Sequence, residues 1–410
     1  MKNKFFLFLF PLFLFSEEIL EVPLATQEIL IPVHIVKCAL HSDRFSESYV
    51  NEVSAILSFD FNHSAFSKVV SEKAPITLRP KLTDSGLTVE ATNQGEVFEL
   101  TTPLTGNLST DRRKIHYLLS KLQKRLFGQE GIFHKRILYA NRMKTISEIF
   151  VCDFDGKNVK QITQEKGYCI SPKFLPKRPG NYLYVSYQLG QAKLYLSDLK
   201  LKKGVSIIPL KGNQILPSIS QKGDQIAFIG DAGGRPDLFL QSFDDKGNLL
   251  GKPRQIFSYP FATQASPTFS PDGAKIAFVS DKDGPPRIYL LDLTRANTAP
   301  ELLTKQNKQN TSPAWSPDGM KLAYSAKTDG VRQIWIYDFQ EKIETQLTFA
   351  KENMENPMWA SDSLHLVFNS EGDLAELYIA NIHQNQFVKI SEGIGHKRFP
   401  SWEIDEGEIP

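Results

Sequence analysis

Two stretches of the chain repeat almost residue for residue. They are Ser266-Pro267-Thr268-Phe269-Ser270-Pro271-Asp272-Gly273 and Ser312-Pro313-Ala314-Trp315-Ser316-Pro317-Asp318-Gly319, each followed by a lysine-led apolar run. A repeat at fixed spacing demands stacked structural units, which constrains the fold more than any single residue does. Each copy reads as a short strand, a tight turn and a second strand. Proline presets φ at the first corner of the turn, and glycine takes the positive φ that lets the chain double back. The opening proline recurs as Pro172, Pro217, Pro267, Pro313, Pro357 and Pro400, and a large apolar residue stands two positions after each: Phe174, Ile219, Phe269, Trp315, Trp359 and Trp402.

Second strands are predicted over residues 182–186, 226–229, 276–280, 322–325 and 366–369, third strands over 194–198, 238–242, 288–292, 334–338 and 377–381, and weaker fourth strands end at Thr304, Thr348 and Ser391. Four short strands per unit is the pattern of a propeller blade. The ends of the region do not match. It begins with a second strand at 136–140 that lacks a first strand, and it ends with an unaccompanied first strand at 398–402. Pairing the two gives six blades, with the first closed by the C-terminal strand, and removes the sheet edges that an open array leaves exposed. The predicted class is therefore multi-domain: a small N-terminal α/β domain over 29–130, then an all-β six-bladed propeller over 131–410.

Ahead of these, Lys2 and Lys4 precede residues 5–15, all Phe or Leu except Pro11, and Ser16-Glu17-Glu18 ends the run. That is a secretory signal peptide over 1–16, too short to span a bilayer. Residues 17–28 show no period and read as a flexible arm. In the α/β domain, spacing marks a helix from Ser46, with a second helix an open alternative after Asn62. Turn chemistry marks a hairpin at Asn93-Gln94-Gly95. A helix over 111–127, capped by Ser109, Thr110 or Asp111 and stopped by Gly128, is the clearest of all. A formal net charge of +2 gives no electrostatic case for nucleic acid or an anionic membrane surface, and no later stretch is long and apolar enough for direct membrane insertion as a helix. Cys38, Cys152 and Cys169 read as buried thiols, not a disulfide framework.

No nucleophile elbow, zinc motif, phosphate loop or dinucleotide fingerprint is present. Asp153-Phe154-Asp155-Gly156-Lys157-Asn158 lacks the glycine position and distal glutamate of a calcium loop and reads as a turn, as do Asp272 and Asp318. The tryptophans read as packing between blades. The expectation is no catalytic residue, no metal and no cofactor. Function then rests on the segments that lead into each first strand, unlike one another on a repeated scaffold.

Signal peptide, small α/β domain, the junction Gly131-Ile132-Phe133-His134-Lys135-Arg136-Ile137-Leu138-Tyr139 and six Ser-Pro-Asp-Gly-type blades together resemble the TolB family of the Tol–Pal envelope system of Gram-negative bacteria. The resemblance is carried most fully by residues 266–292 and 312–338. It implies a monomeric, non-enzymatic periplasmic adaptor that supports outer-membrane integrity and constriction at cell division. It further implies that a Pal-type peptidoglycan-associated lipoprotein binds at the channel mouth, on Thr263, Gln264, Ser266, Asn310, Thr311, Met354, Glu355, His396 and Arg398. A TolA-type inner-membrane protein would engage the arm through Glu18, Ile19, Leu20, Glu21 and Val22. The alternative is a stand-alone exported propeller that binds a peptide, glycan or small ligand.

Overall fold

A computed structural model describes residues 30–244, 246–295, 298–384 and 386–404. The expected signal peptide, the arm and its Glu18–Val22 contact lie outside them.

The small domain is one six-stranded sheet with two helices. β1 (Ile31–Ile35) lies between β3 (Ser67–Val70) and β4 (Ile76–Thr83), parallel to both, and β2 (Ala39–Leu40) pairs with β4 further along. β5 (Gly86–Asn93) and β6 (Glu96–Thr102) extend the sheet as an antiparallel meander through the predicted Asn-Gln-Gly turn. Helix α1 (Glu47–Asn62) starts at Ser46, whose side chain accepts from the Tyr49 N–H. The chain after Asn62 forms β3 in place of a second helix. Helix α2 (Leu108–Phe127) begins three residues earlier than predicted because Asn107 is the cap. Asp111, read as a cap candidate, instead accepts from the backbone of Thr105 and Gly106 and from the Tyr49 hydroxyl at 2.8 Å. Gly128 ends α2 in the left-handed region, φ 82°.

Six four-stranded antiparallel sheets follow. In five, the strands run in sequence from axis to rim. In the first, His396–Trp402 pairs with Ile137–Met143 and completes the blade, with Trp402 opposite Ile137. The second strands are buried on both faces, which is why they read as continuous apolar runs. Tyr184, Phe228, Phe278, Tyr324 and Phe368, one in each of five blades, are wholly buried. At the rim a hydroxyl ties fourth strand to third. Thr163, Thr348 and Ser391 accept from the N–H of Ile149, Ile334 and Leu377, and donate to Glu148, Gln333 and Glu376. Thr348 and Ser391, predicted only as strand ends, thus fasten the rims of their blades, as Thr163 does in the first.

Every first strand carries the same irregularity. Its pairing register slips at the residue before the proline. Ser171, Leu216, Ser266, Ser312, Asn356 and Phe399 there have φ between 46° and 56°. Proline has no N–H to give the ladder, and the bulge takes that residue out of pairing at a cost of about 1–2 kcal/mol for the left-handed conformation.

The two domains share one apolar core. Phe61, Leu119 and Phe133 meet Phe154, Ile390 and Trp402 of the propeller within it. Around this core, Arg136 and Arg113 pair with Glu403 at 2.5 and 3.4 Å, and His365 lies 2.7 Å from the His63 carbonyl. Arg112 pairs with Asp155, whose carboxylate also lies 3.6 Å from His116. All these contacts fall on the face that carries the Ser-Pro-Asp-Gly turns. The opposite face, where the chain leads into each first strand, points away from the small domain.

Candidate functional site

The bulges sort the lead-in residues by where their side chains go. Three positions before each proline stand Cys169, Gln214, Gln264, Asn310, Met354 and Lys397, none more than 2 % exposed. Two positions before it stand Ile170, Ile215, Ala265, Thr311, Glu355 and Arg398, all half-buried, as expected if alternation turns them toward the axis. Of the predicted contact residues, Gln264, Asn310 and Met354 are therefore turned into the packing between strands. Asn310 Nδ2 donates to Thr304 Oγ1 and the Asn307 carbonyl, each at 2.9 Å. Thr263 is exposed, and Ser266, Thr311, Glu355, His396 and Arg398 are half-buried at the mouth. Strand alternation, interrupted once by the bulge, divides the two groups.

The wall of the mouth is chemically two-sided. Ile170, Ile215 and Ala265 are apolar and pack partly against the cores between blades, whereas Thr311, Glu355 and Arg398 form a polar arc. The charges on the polar arc are matched locally. Arg332 reaches Glu355 at 3.1 Å and donates to Thr311 Oγ1 at 3.2 Å, and Arg398 pairs with Glu371. Burial raises the Glu371 pKa against the pull of Arg398. Burial, with Arg142, Arg398 and Lys397 nearby, lowers that of His396. Thr263 is fixed by its N–H, which donates to Asp281 at 2.6 Å. Ser312 and Asn356 are linked at 3.2 Å.

A ring of exposed apolar side chains surrounds this mouth. Phe261 is 106 % exposed, Ile394 78 % and Phe349 71 %, each in a segment leading into a first strand. Leu189 and Leu374, also exposed, sit at turns between second and third strands on the same face. Sequence reasoning passed over these residues. The signal was present in Tyr259-Pro260-Phe261, two aromatics in a connection where small polar turn residues are the rule. Matched charges in the middle with large apolar groups outside suit a protein surface better than a small charged ligand.

On the far face, the turn aspartates are occupied. Asp272 accepts from Ser270 Oγ at 2.5 Å and the Ala274 N–H at 2.9 Å; Asp318 accepts from Ser316 Oγ at 2.6 Å and the Met320 N–H at 2.9 Å.

Residues 123–402 match the family model described as the TolB beta propeller domain. A TolB homolog of Protochlamydia amoebophila is 43 % identical over 353 residues, covering 75 % of each chain. One from Chlamydia pneumoniae is 35 % identical over 412 residues, covering 97 % of this chain and 95 % of its own. Among solved structures, TolB from Acinetobacter baumannii superposes with a TM-score of 0.73 at 21 % identity, over 92 % of this chain and 98 % of that one.

Proposed function

The chain belongs to the TolB family, and from that premise we propose that it is a non-enzymatic adaptor of the periplasm. It binds a peptidoglycan-associated, Pal-type lipoprotein over the lead-in mouth and a TolA-type inner-membrane protein through residues 17–28. It thereby helps hold the outer membrane in register with the wall and draw it in at division. One observation supports the first contact above all. The face turned away from the small domain has a charge-matched mouth bordered by Phe261, Phe349 and Ile394. Such a border excludes water from hydrogen bonds made at the centre. Thr263, Ser266, Thr311, Glu355, His396 and Arg398 supply the polar contacts in this reading.

The test is calorimetric titration of the full chain with the soluble domain of a peptidoglycan-associated lipoprotein. Thr311→Arg combined with Phe261→Asp is expected to weaken binding at least about tenfold without lowering Tm. Unchanged affinity would remove the lead-in face from the reading. Retention of soluble glycan with no lipoprotein bound would replace the adaptor with a ligand-binding propeller. Deletion of residues 17–28 is expected to abolish capture of the TolA-type partner alone.

A further inference from the structure

The channel does not run evenly through the disc. At the level of the bulges it narrows to a space of about 70 Å³, bordered by Ser171, Ser266, Ser312, Asn356 and Phe399. On the turn side it opens into a chamber of about 470 Å³, within the size range of small-molecule sites. Two rings of six residues line the chamber. One is the set of large apolar residues two positions after the prolines. The other is the set one position after: Lys173, Ser218, Thr268, Ala314, Met358 and Ser401.

Lys173 is the exception in that second ring. Five of six equivalent positions carry a neutral side chain, and the sixth carries an ammonium that borders both the chamber and the narrow waist. Among the described residues Lys173 forms no ion pair; its Nζ lies 3.8 Å from Met358 Sδ, a weak acceptor. The other charged groups on the chamber wall are Lys177 and Glu403. Glu403 is already held by Arg136 and Arg113, so it does not serve Lys173. Two more donors on the same wall lack an acceptor. Trp402 Nε1 and Ser401 Oγ are buried without a hydrogen-bond partner among the described residues. Lys173 is half-buried in this wall, where holding an ammonium without a counter-ion is costly, and unsatisfied buried donors are uncommon enough to need a cause.

We propose that the chamber binds a small organic monocarboxylate, with the Lys173 ammonium as counter-ion and the aromatic ring of the wall holding its apolar body. Within the two rings Lys173 is the single cation, which matches one negative charge, and the apolar wall favours an organic acid over hydrated inorganic phosphate. The waist separates this chamber from the lead-in mouth, so the site stands or falls independently of lipoprotein binding.

The test titrates the full chain with phenylacetate, its neutral amide phenylacetamide, and inorganic phosphate, read by calorimetry and by tryptophan fluorescence. Phenylacetate is expected to bind saturably, about tenfold or more tighter than the amide, since a hydrogen bond to a charged group is the stronger kind. Lys173→Met and Lys173→Gln should each remove that advantage, with Tm kept. Burial pulls Lys173 down to about 8, so phenylacetate affinity should fall as pH rises past that value. Equal affinity for acid and amide, unchanged affinity in both variants, phosphate binding as tightly as phenylacetate, or no saturable binding would each overturn the proposal.

Discussion

Asp155→Ala is the sharpest probe of how the two domains hold together. Asp155 sits in a turn of the first blade, 8 % exposed, and its carboxylate faces Arg112 and His116 of α2, 6 % and 0 % exposed. Removing one partner of a buried ion pair costs about 3–5 kcal/mol because the remaining charge stays behind uncompensated. Here the loss should sit near the lower end, about 3 kcal/mol, for a geometric reason. Arg112 keeps Glu52 at 2.8 Å, and His116 keeps Asp60 at 2.8 Å. Urea unfolding followed by tryptophan fluorescence reads this directly. Trp402 lies in the shared core with its ring centroid 6.0 Å from that of Phe154, the neighbour of Asp155. The cycle with Arg112→Met should give a coupling energy above about 1 kcal/mol, as for residues in one charge network. A cost below about 1 kcal/mol for Asp155→Ala, or strict additivity with Arg112→Met, would refute the claim that this cluster fastens the interface.

The same cluster makes stability depend on pH. Burial alone would lower His116, but Asp60 and Asp155 hold it at about 10, above an unfolded value of about 6.5. Its contribution is therefore fully present below about pH 6.5 and lost as pH rises through about 10, a slope that His116→Gln should flatten in denaturation curves taken across that window. In acid the two carboxyls act in turn and with opposite signs: Asp60, raised by burial, takes up its proton first and favours the folded state as pH falls, and Asp155, held at about 2 against burial by His116 and Arg112, then loses its stabilising charge as pH falls toward that value. Thr348→Val removes the hydroxyl that joins Ile334 to Gln333 and should cost about 1–3 kcal/mol in urea titration; no loss would show that the rim hydroxyls do not hold the blades. Cys38, Cys152 and Cys169 are buried thiols with pKa values raised by burial, so a thiol reagent should find none in the native protein at neutral pH and all three after unfolding.

The blades were readable because each one encodes itself locally. A proline, an apolar residue two positions on and a turn aspartate-glycine lie within a dozen residues, and repetition corrects any copy that has drifted, such as Leu216-Pro217-Ser218-Ile219. The closure by His396–Trp402 was readable from arithmetic alone. The docking of the small domain was not. Arg112, His116 and Asp155 each resemble surface charges in sequence, and only the fold brings α2 against the 153–158 turn. That segment is a turn, as its composition says, but Asp155 within it also serves the partner domain. Helix starts suffer from redundancy of another kind. Asn107, Ser109, Thr110 and Asp111 are all competent caps, and the tertiary contact of Asp111 with Tyr49 decides which of them acts.

At the lead-in face the difficulty was one of phase. Six prolines mark the same point in six strands, and counting back from each separates buried from open side chains once the bulge is known. A left-handed residue before proline interrupts strict alternation, so a plain period-two reading could not assign Gln264 and Asn310 to the interior and leave Thr311 half-buried at the mouth. The bulge is also what connects scaffold to function. It lifts one peptide per blade out of the ladder, narrows the channel at that level, and leaves two chemically different openings. The lead-in mouth varies from blade to blade in charge and apolar surface, as suits one large partner. The two repeated rings of the turn-side chamber are neutral except at Lys173, and a lone charge in an otherwise repeated ring is the one place where symmetry gives packing no reason for it.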